Sequence, residues 1–388
     1  MPRRNRQKKR TEVHGSKRLS IQVLPNEVLS EIMRLSASPE HALLLRASKL
    51  FYRLGKDLLY RSIWLTSDSA VHKLYSTFVS SPGAKLAAKV RYFEVIICQQ
   101  TNILMSIITF PSSSYLTGIL RRIINVEILQ LHIESLYLLK DVLSVNLFDH
   151  LAYSKVHTFS MTLLNSHSCH HVFRILRTYP SLQHLSFHTL ERPFRLSQPS
   201  ADMDFEAIQL PELTSYTGPM EILKIIIPRA KKLSSIVIDS GVRADTDLVL
   251  YEQELKSLEL LENTKPNPAQ NLSVEVIVLP DPSVVNAFLK YLPGNLASLS
   301  FRYTFHPHAL VMTETAPVNF QELERFKDLK TFSMSCVPHK AMNETLGIQA
   351  PEVQKIIEAY PRTSLETIRL YGKVYEKNEQ GDFTLQSS

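Results

Sequence analysis

Glycine is scarce in this 388-residue chain: ten residues, none arranged as GxGxxG or GxxxxGK[ST]. That removes the Gly-rich loop with which nucleotide-binding α/β folds cradle phosphate. Cysteine is scarcer still, with Cys98, Cys169 and Cys336 far apart. An odd, scattered set gives no disulfide framework and no paired CxxC zinc module, and fits a reducing, intracellular compartment. No apolar run reaches the roughly 18 residues that suggest a membrane span. A charged N-terminus with no apolar stretch behind it does not read as a secretory signal. GxSxG and HExxH are absent, and nothing places a base beside any of the cysteines.

What is present is 44% hydrophobic residues, ample for a sizeable core, and a net charge of +7. The charge is local. Residues 1–18 hold eight Lys or Arg against Glu12 alone, which leaves 36 basic and 36 acidic residues in the rest of the chain. The basic balance is therefore a property of the tail, not of the folded body. Residues 1–19, with "PRRNRQKKR" at their start, repel themselves and lack apolar content, so a disordered segment is expected. A solubilising tail, a nuclear-import signal and nonspecific phosphate binding are the three readings of it.

Behind the tail, "LPNEVLSEIM" sets Leu24, Val28, Leu29, Ile32 and Leu35 at helical spacing. Pro25 fits the first helical position and Glu27 the positive end of the helix dipole. Ser38 and Pro39 suit the start of a second helix, whose apolar stripe runs through Leu43, Ala47, Leu50 and Leu54, with Gly55 ending it. "KDLLYRSIWL" then supplies a short third helix and an exit. Three helices in so few residues make a small core that leans on a neighbour or a partner.

These residues resemble the F-box in its fungal form. Leu24, Pro25, Glu27, Val28, Leu29 and Ile32 are similar to that motif's opening Leu-Pro-x-Glu block. "ALLLRASKLFYRL" and "LLYRSIWL" follow in the order of its second and closing blocks. Ala47, Phe51 and Tyr60 depart from the family, standing where Val, Trp and Trp are frequent.

The rest of the chain repeats a loose pattern: apolar, two residues, apolar, one residue, apolar. It occurs ten times, starting at Val90, Val126, Val156, Leu182, Leu213, Leu233, Leu255, Leu296, Leu329 and Leu365, at intervals of 20 to 41 residues. The longest interval contains a further strand-like run, "SVEVIVL". Helical segments precede several of these strands and stop at Tyr near Pro, as in "HHVFRILRTYP", "SVVNAFLKYLP" and "PEVQKIIEAYP". One strand plus one helix per unit is the signature of a leucine-rich-repeat horseshoe, here irregular and without its usual asparagine. The expected fold is α/β: a three-helix F-box over 20–66, then a leucine-rich-repeat-like solenoid over 67–375 with parallel strands inside and helices outside. The helix around Val71 to Phe78, together with the F-box, is expected to cap one end. A polar, frayed tail is expected over 376–388. A doubly wound α/β domain is the rival, and the missing Gly-rich loop counts against it.

"HSCHH" (His167, Cys169, His170, His171) lacks the second Cys/His pair of a tetrahedral zinc site; "FHPH" is the nearest. A polar loop entering a helix is the simpler reading. "KPNPAQ", Lys265 to Gln270, reads as a connector. No cofactor, metal or catalytic residue is expected.

The resemblance implies a non-catalytic substrate receptor of an SCF-type cullin–RING ubiquitin ligase. Leu24, Pro25, Val28, Leu29, Ile32 and Leu43 would bind the ligase adaptor, and through it a cullin. The repeat domain would hold a target protein. By strand alternation, Gln130, His132, His184, Ser186, Arg302 and Arg369 are the candidates for its exposed inner face. A non-ligase scaffold, or a nuclear protein touching nucleic acid nonspecifically through its tail, are the alternatives. Membrane partners are not expected, and the nucleus, the cytoplasm or both are the implied compartments. If the tail directs import, neutralising its six basic residues from Arg3 to Arg10 moves a fluorescent fusion from nucleus to cytoplasm; an unchanged distribution excludes that role.

Overall fold

The computed structural model describes residues 24–36, 38–97, 112–134, 155–163, 169–189, 206–240, 252, 255–263, 272–278, 282–304, 320–337, 356, 364–370 and 372–386. The basic segment 1–19, "KPNPAQ", "FHPH" and most of "PEVQKIIEAYP" lie outside them. The chain divides into two compact units, Met1–Ser62 and Ile63–Ser388.

Among its described residues the first unit holds three helices: α1 (Asn26–Leu35), α2 (Ser38–Ala47) and α3 (Lys49–Leu59). Pro25 lies just outside α1, with extended backbone, and its carbonyl accepts the Leu29 N–H at 3.1 Å. Leu29, Met33, Leu45 and Phe51 form the core, with Leu44, Leu50, Leu54, Leu58 and Leu59 packed around it. The expected second helix is interrupted. Ser48 adopts an extended conformation and its side chain accepts the Leu50 N–H at 3.1 Å, capping a new helix. A serine that satisfies an orphan amide at a helix start competes successfully with continuing the previous helix. The stripe therefore breaks at Ser48: Leu45 turns inward and Leu43 outward. Gly55 does not end a helix either. It lies inside α3 against Met33, whose Cε would stand 1.7 Å from an added Cβ. "SIWL", expected as the exit from a helix, becomes a strand.

The second unit is built on a 13-stranded sheet in which the strands lie side by side in chain order. They are β1 (Ser62–Leu65), β2 (Tyr92–Ile97), β3 (Ile128–Ile133), β4 (Thr158–Leu163), β5 (His184–Thr189), β6 (Ser215–Pro219), β7 (Ser235–Asp239), β8 (Leu272–Val278), β9 (Leu296–Thr304), β10 (Thr331–Val337), β11 (Thr367–Leu370), β12 (Lys373–Lys377) and β13 (Phe383–Leu385). From β2 to β11 every neighbouring pair is parallel. Parallel neighbours need a crossover, and helices supply it among the described residues. Asp68–Val79 and Ser81–Ala87 precede β2, and Ser112–Leu120 precedes β3. Cys169–Thr178 leads to β5, Met220–Ile226 to β7 and Pro282–Tyr291 to β9.

The repeated pattern sets the register. Its middle apolar residue forms one row across the sheet: Phe93 opposite Leu129, Leu129 opposite Phe159, then Leu185, Tyr216, Ile236, Val274, Leu299, Phe332 and Ile368. All are buried. Each such side chain removes on the order of 1.5–3 kcal/mol worth of apolar surface from water. A second device repeats at the strand entrances. One carbonyl accepts two successive amides of the next strand: Arg91 O takes Glu127 N and Ile128 N at 2.7 and 3.0 Å, and Thr214 O takes Ser234 N and Ser235 N at 2.9 and 3.0 Å. Asn125, Ser181 and Ser364 add side-chain bonds to carbonyls of the preceding turn.

One of the ten pattern instances is not a strand. "LKSLEL" lies in a 3-10 helix, Lys256–Asn263. Leu255, Leu258 and Leu261 are buried while Leu260 is 45% exposed, a repeat of three in place of two. That repeat stacks residues on one side of a 3-10 helix. The β-branched run "SVEVIV" forms β8 instead. The expected frayed tail over 376–388 is also corrected for its described part. Residues 373–377 pair antiparallel with β11, and 383–385 pair with them in turn. Gly372 and Gly381 make the turns at φ +86° and +93°, which other residues rarely adopt. Asn378 Oδ1 accepts the amides of Gln380 and Asp382, closing the second turn.

Gly218, at φ +154°, fills the one place in β6 where an inward side chain is not admitted. An added Cβ would lie 2.7 Å from Tyr216 Oη and 3.1 Å from Phe187 Cβ. The Tyr216 hydroxyl donates to Pro219 O at 2.7 Å and cannot move without breaking that bond. Gly218→Ala is expected to cost about 2 kcal/mol through overpacking and backbone strain. Urea unfolding checks this; an unchanged midpoint refutes the packing account.

Candidate interaction surfaces

In the first unit α1 has two faces. Leu29 and Met33, four residues apart, point into the core and are fully buried. Val28, Ile32 and Leu35, at steps of four and three, point outward at 42%, 41% and 72% exposure. Leu24 and Leu43 are exposed as well, and so is Pro25. The six residues proposed from sequence as adaptor contacts are thus divided. Leu29 holds the core, and the other five are on the surface. Leu35 joins them, and the helical period that flagged Leu24 through Ile32 also reaches it. Arg34 and Glu31 pair beside this stripe at 2.6 Å, and that bond holds the Glu31 carboxyl below its usual range. An exposed pair of this kind adds little stability.

In the second unit, strand alternation sends the core row to one face and the even-numbered residues of β2 to β5 to the other. Gln130, His132, His184, Ser186, Arg302 and Arg369 all carry the outward parity, and none is buried. The structure groups some of them and separates others. Tyr92 donates its hydroxyl to the Glu94 carboxylate, and the same oxygen lies 3.2 Å from Gln130 Oε1. His132 Nδ1 lies 3.4 Å from Thr162 Oγ1, and the rings of His132 and His188 are 5.1 Å apart. Ser186 Oγ is 3.3 Å from His188 Nε2. Gln130, His132 and Ser186 therefore belong to one patch over β2 to β5. His184 stands apart, between Thr158 and Ser215 in the register. Arg302 is ion-paired with Glu275 on β8. Arg369 sits near the far edge, opposite Ser333 and Val374.

Sequence reasoning missed Tyr92, Glu94, Thr162, His188 and Trp64. The first four have the same strand parity as the residues that were chosen. Trp64 was hidden because its strand was read as the exit from a helix. It is 54% exposed between the buried Ile63 and Leu65, and its ring meets Tyr92 edge-on at 5.8 Å.

Among the described residues no group of three or more His, Cys, Asp or Glu is placed to hold a metal ion. The side chains of "HSCHH" lie outside the described set. No helix of the described residues is long and apolar enough to cross a membrane. No family model matches the sequence, and no curated protein matches it.

Burial holds the imidazoles of His132 and His188 below the ordinary value of 6.5. The neighbouring His188 imidazole adds to the effect on His132, while Glu94 and Asp239 pull the other way on His132 and His188 respectively. Because the folded values are lowered, this contribution to stability is complete above the unfolded value. It is lost as pH falls through the folded values. Unfolding free energy is thus expected to fall from roughly pH 6.5 downward, and His132→Gln with His188→Gln to flatten that slope. Urea titrations across this range provide the check; equal slopes in wild type and double variant contradict it.

Proposed function

We propose that the chain is a substrate-recognition subunit of an SCF-type cullin–RING ubiquitin ligase. The first unit is its F-box and the second a leucine-rich-repeat-like solenoid that holds the target on the outward sheet face. The observation that carries this reading is the outward apolar stripe on α1. Leu24, Pro25, Val28 and Ile32, the residues that resemble the F-box opening, are exposed although apolar, while Leu29 alone among them holds the core. A run of apolar side chains left in water on a small three-helix unit is the mark of a surface awaiting a partner. The sequential parallel sheet supports the second half of the reading, since stacked strand–helix units present a long continuous face. The chain contributes proximity and no chemistry of its own. It holds target lysines near a charged enzyme carried by other subunits.

Truncation separates the two jobs of the stripe. Leu24→Ala with Pro25→Ala removes exposed anchors, so it is expected to abolish retention of purified adaptor while leaving the melting temperature nearly unchanged. A buried interfacial Leu is worth about 2 kcal/mol, roughly thirtyfold in affinity. Leu29→Ala, by contrast, empties the core and is expected to cost about 3 kcal/mol in stability of the first unit. A well-folded Leu24/Pro25 variant that still retains the adaptor, or a wild type that never does, rejects the F-box reading.

A further inference from the structure

We infer that the β1 to β3 end of the outward sheet face takes a cationic side chain, Lys or Arg, from an extended segment of the partner protein. The inference rests on the reading of this face as the target-holding surface and adds the chemistry of what it holds. Three neighbouring groups carry it. Trp64 is 54% exposed and Tyr92 half-buried, with their rings edge to face at 5.8 Å. The Tyr92 hydroxyl bonds the Glu94 carboxylate, which fixes a negative charge beside two aromatic rings. Such a corner attracts a cation twice, through the ring quadrupoles and through the carboxylate.

Charge on the wider face points the same way. Among the described strand residues of outward parity on β2 to β7, Glu94 and Asp239 are acidic, and none is Lys or Arg. Arg302 and Arg369, the basic residues of this face, belong to β9 and β11, and Arg302 is already paired with Glu275. An acidic partner meets no Lys or Arg on these described strands, whereas a basic segment meets the Glu94 carboxylate and, beyond it, the hydroxyls of Thr158, Ser186, Ser215 and Thr217. Burial raises the Tyr92 phenol, and its bond to Glu94 adds to this, so the phenol remains a donor.

Trp64 is the only tryptophan in the chain, so indole fluorescence of the full-length protein reports this corner alone. The probe is the peptide acetyl-Ser-Arg-Ser-Arg-Ser-amide, beside its citrulline counterpart of equal shape and no charge. A saturable change with the arginine peptide is expected, at least about tenfold weaker with citrulline, and about tenfold weaker in Glu94→Gln. Raised salt is expected to weaken the arginine response and leave citrulline untouched. Equal responses to both peptides, or an unchanged affinity in a folded Glu94→Gln protein, overturn the inference. The proposed function has its own arm: proximity labelling in cells with Ser186→Arg and with Ser300→Arg, the latter on β9 between Glu275 and Ser333, which bulk out the face elsewhere. Loss of labelled targets there alongside a charge-blind corner discards only the cation. Labelling that neither substitution alters discards the face itself.

Discussion

The structure depends on a parallel register in which one inward apolar residue of every strand meets its counterpart on the next. Phe93, Leu129, Phe159, Leu185, Tyr216, Ile236, Val274, Leu299, Phe332 and Ile368 are that row. A slip of one residue would turn a strand's whole apolar set to water, so the register is strongly specified. Shared carbonyls at the strand entrances reinforce it, because each can hold two successive amides only when the neighbouring strand begins at the right residue. Such bonds tolerate wide variation in what lies between strands. That is how connections of very different length, and helices as unlike as Pro282–Tyr291 and Lys256–Asn263, coexist in one sheet.

With one face committed to the core, the opposite face is free to vary. It is polar and rich in hydroxyls, it carries charge at separated places, and its histidines and aromatics gather toward β2 to β5. The first unit obeys the same division on the scale of one helix. Leu29 and Met33 secure three helices, and Val28, Ile32 and Leu35 face water. In each unit, residues one step apart in an otherwise uniform apolar or alternating pattern have opposite roles. That is why a substitution chosen without the structure would confuse loss of folding with loss of binding.

Sequence reached the strands because their signal is local and repeated. The period-two alternation behind each leading apolar residue marks nine of the ten instances correctly as strands. "LKSLEL" failed because apolar residues at relative positions one, four and six fit both a strand and a helix of threes. The deciding residue, Leu261, lies one place beyond the pattern. The three-helix segment was legible as three helices but not in its break, since a hydrophobic period cannot see a serine turning its oxygen onto an amide two residues ahead. The terminal hairpins were missed because their strands, "KVYEK" and "FTL", are polar and short, and edge strands need little apolar content.

The sequence by itself determined which residues are inward and which outward along the strands from β2 to β11, the parallel order of those strands, and the location of the charge in the first 18 residues. These follow from periodicity and composition, which are properties of neighbours in the chain. Tertiary structure decided which outward residues meet. His132 lies beside His188 and Trp64 beside Tyr92, and Arg302 is bound to Glu275, because strands tens of residues apart in the chain are adjacent in the sheet. It also decided that Leu29 belongs to the core and Val28 to the surface. A helical period gives the width of an apolar stripe, but only the packing of two further helices against it shows which edge is covered.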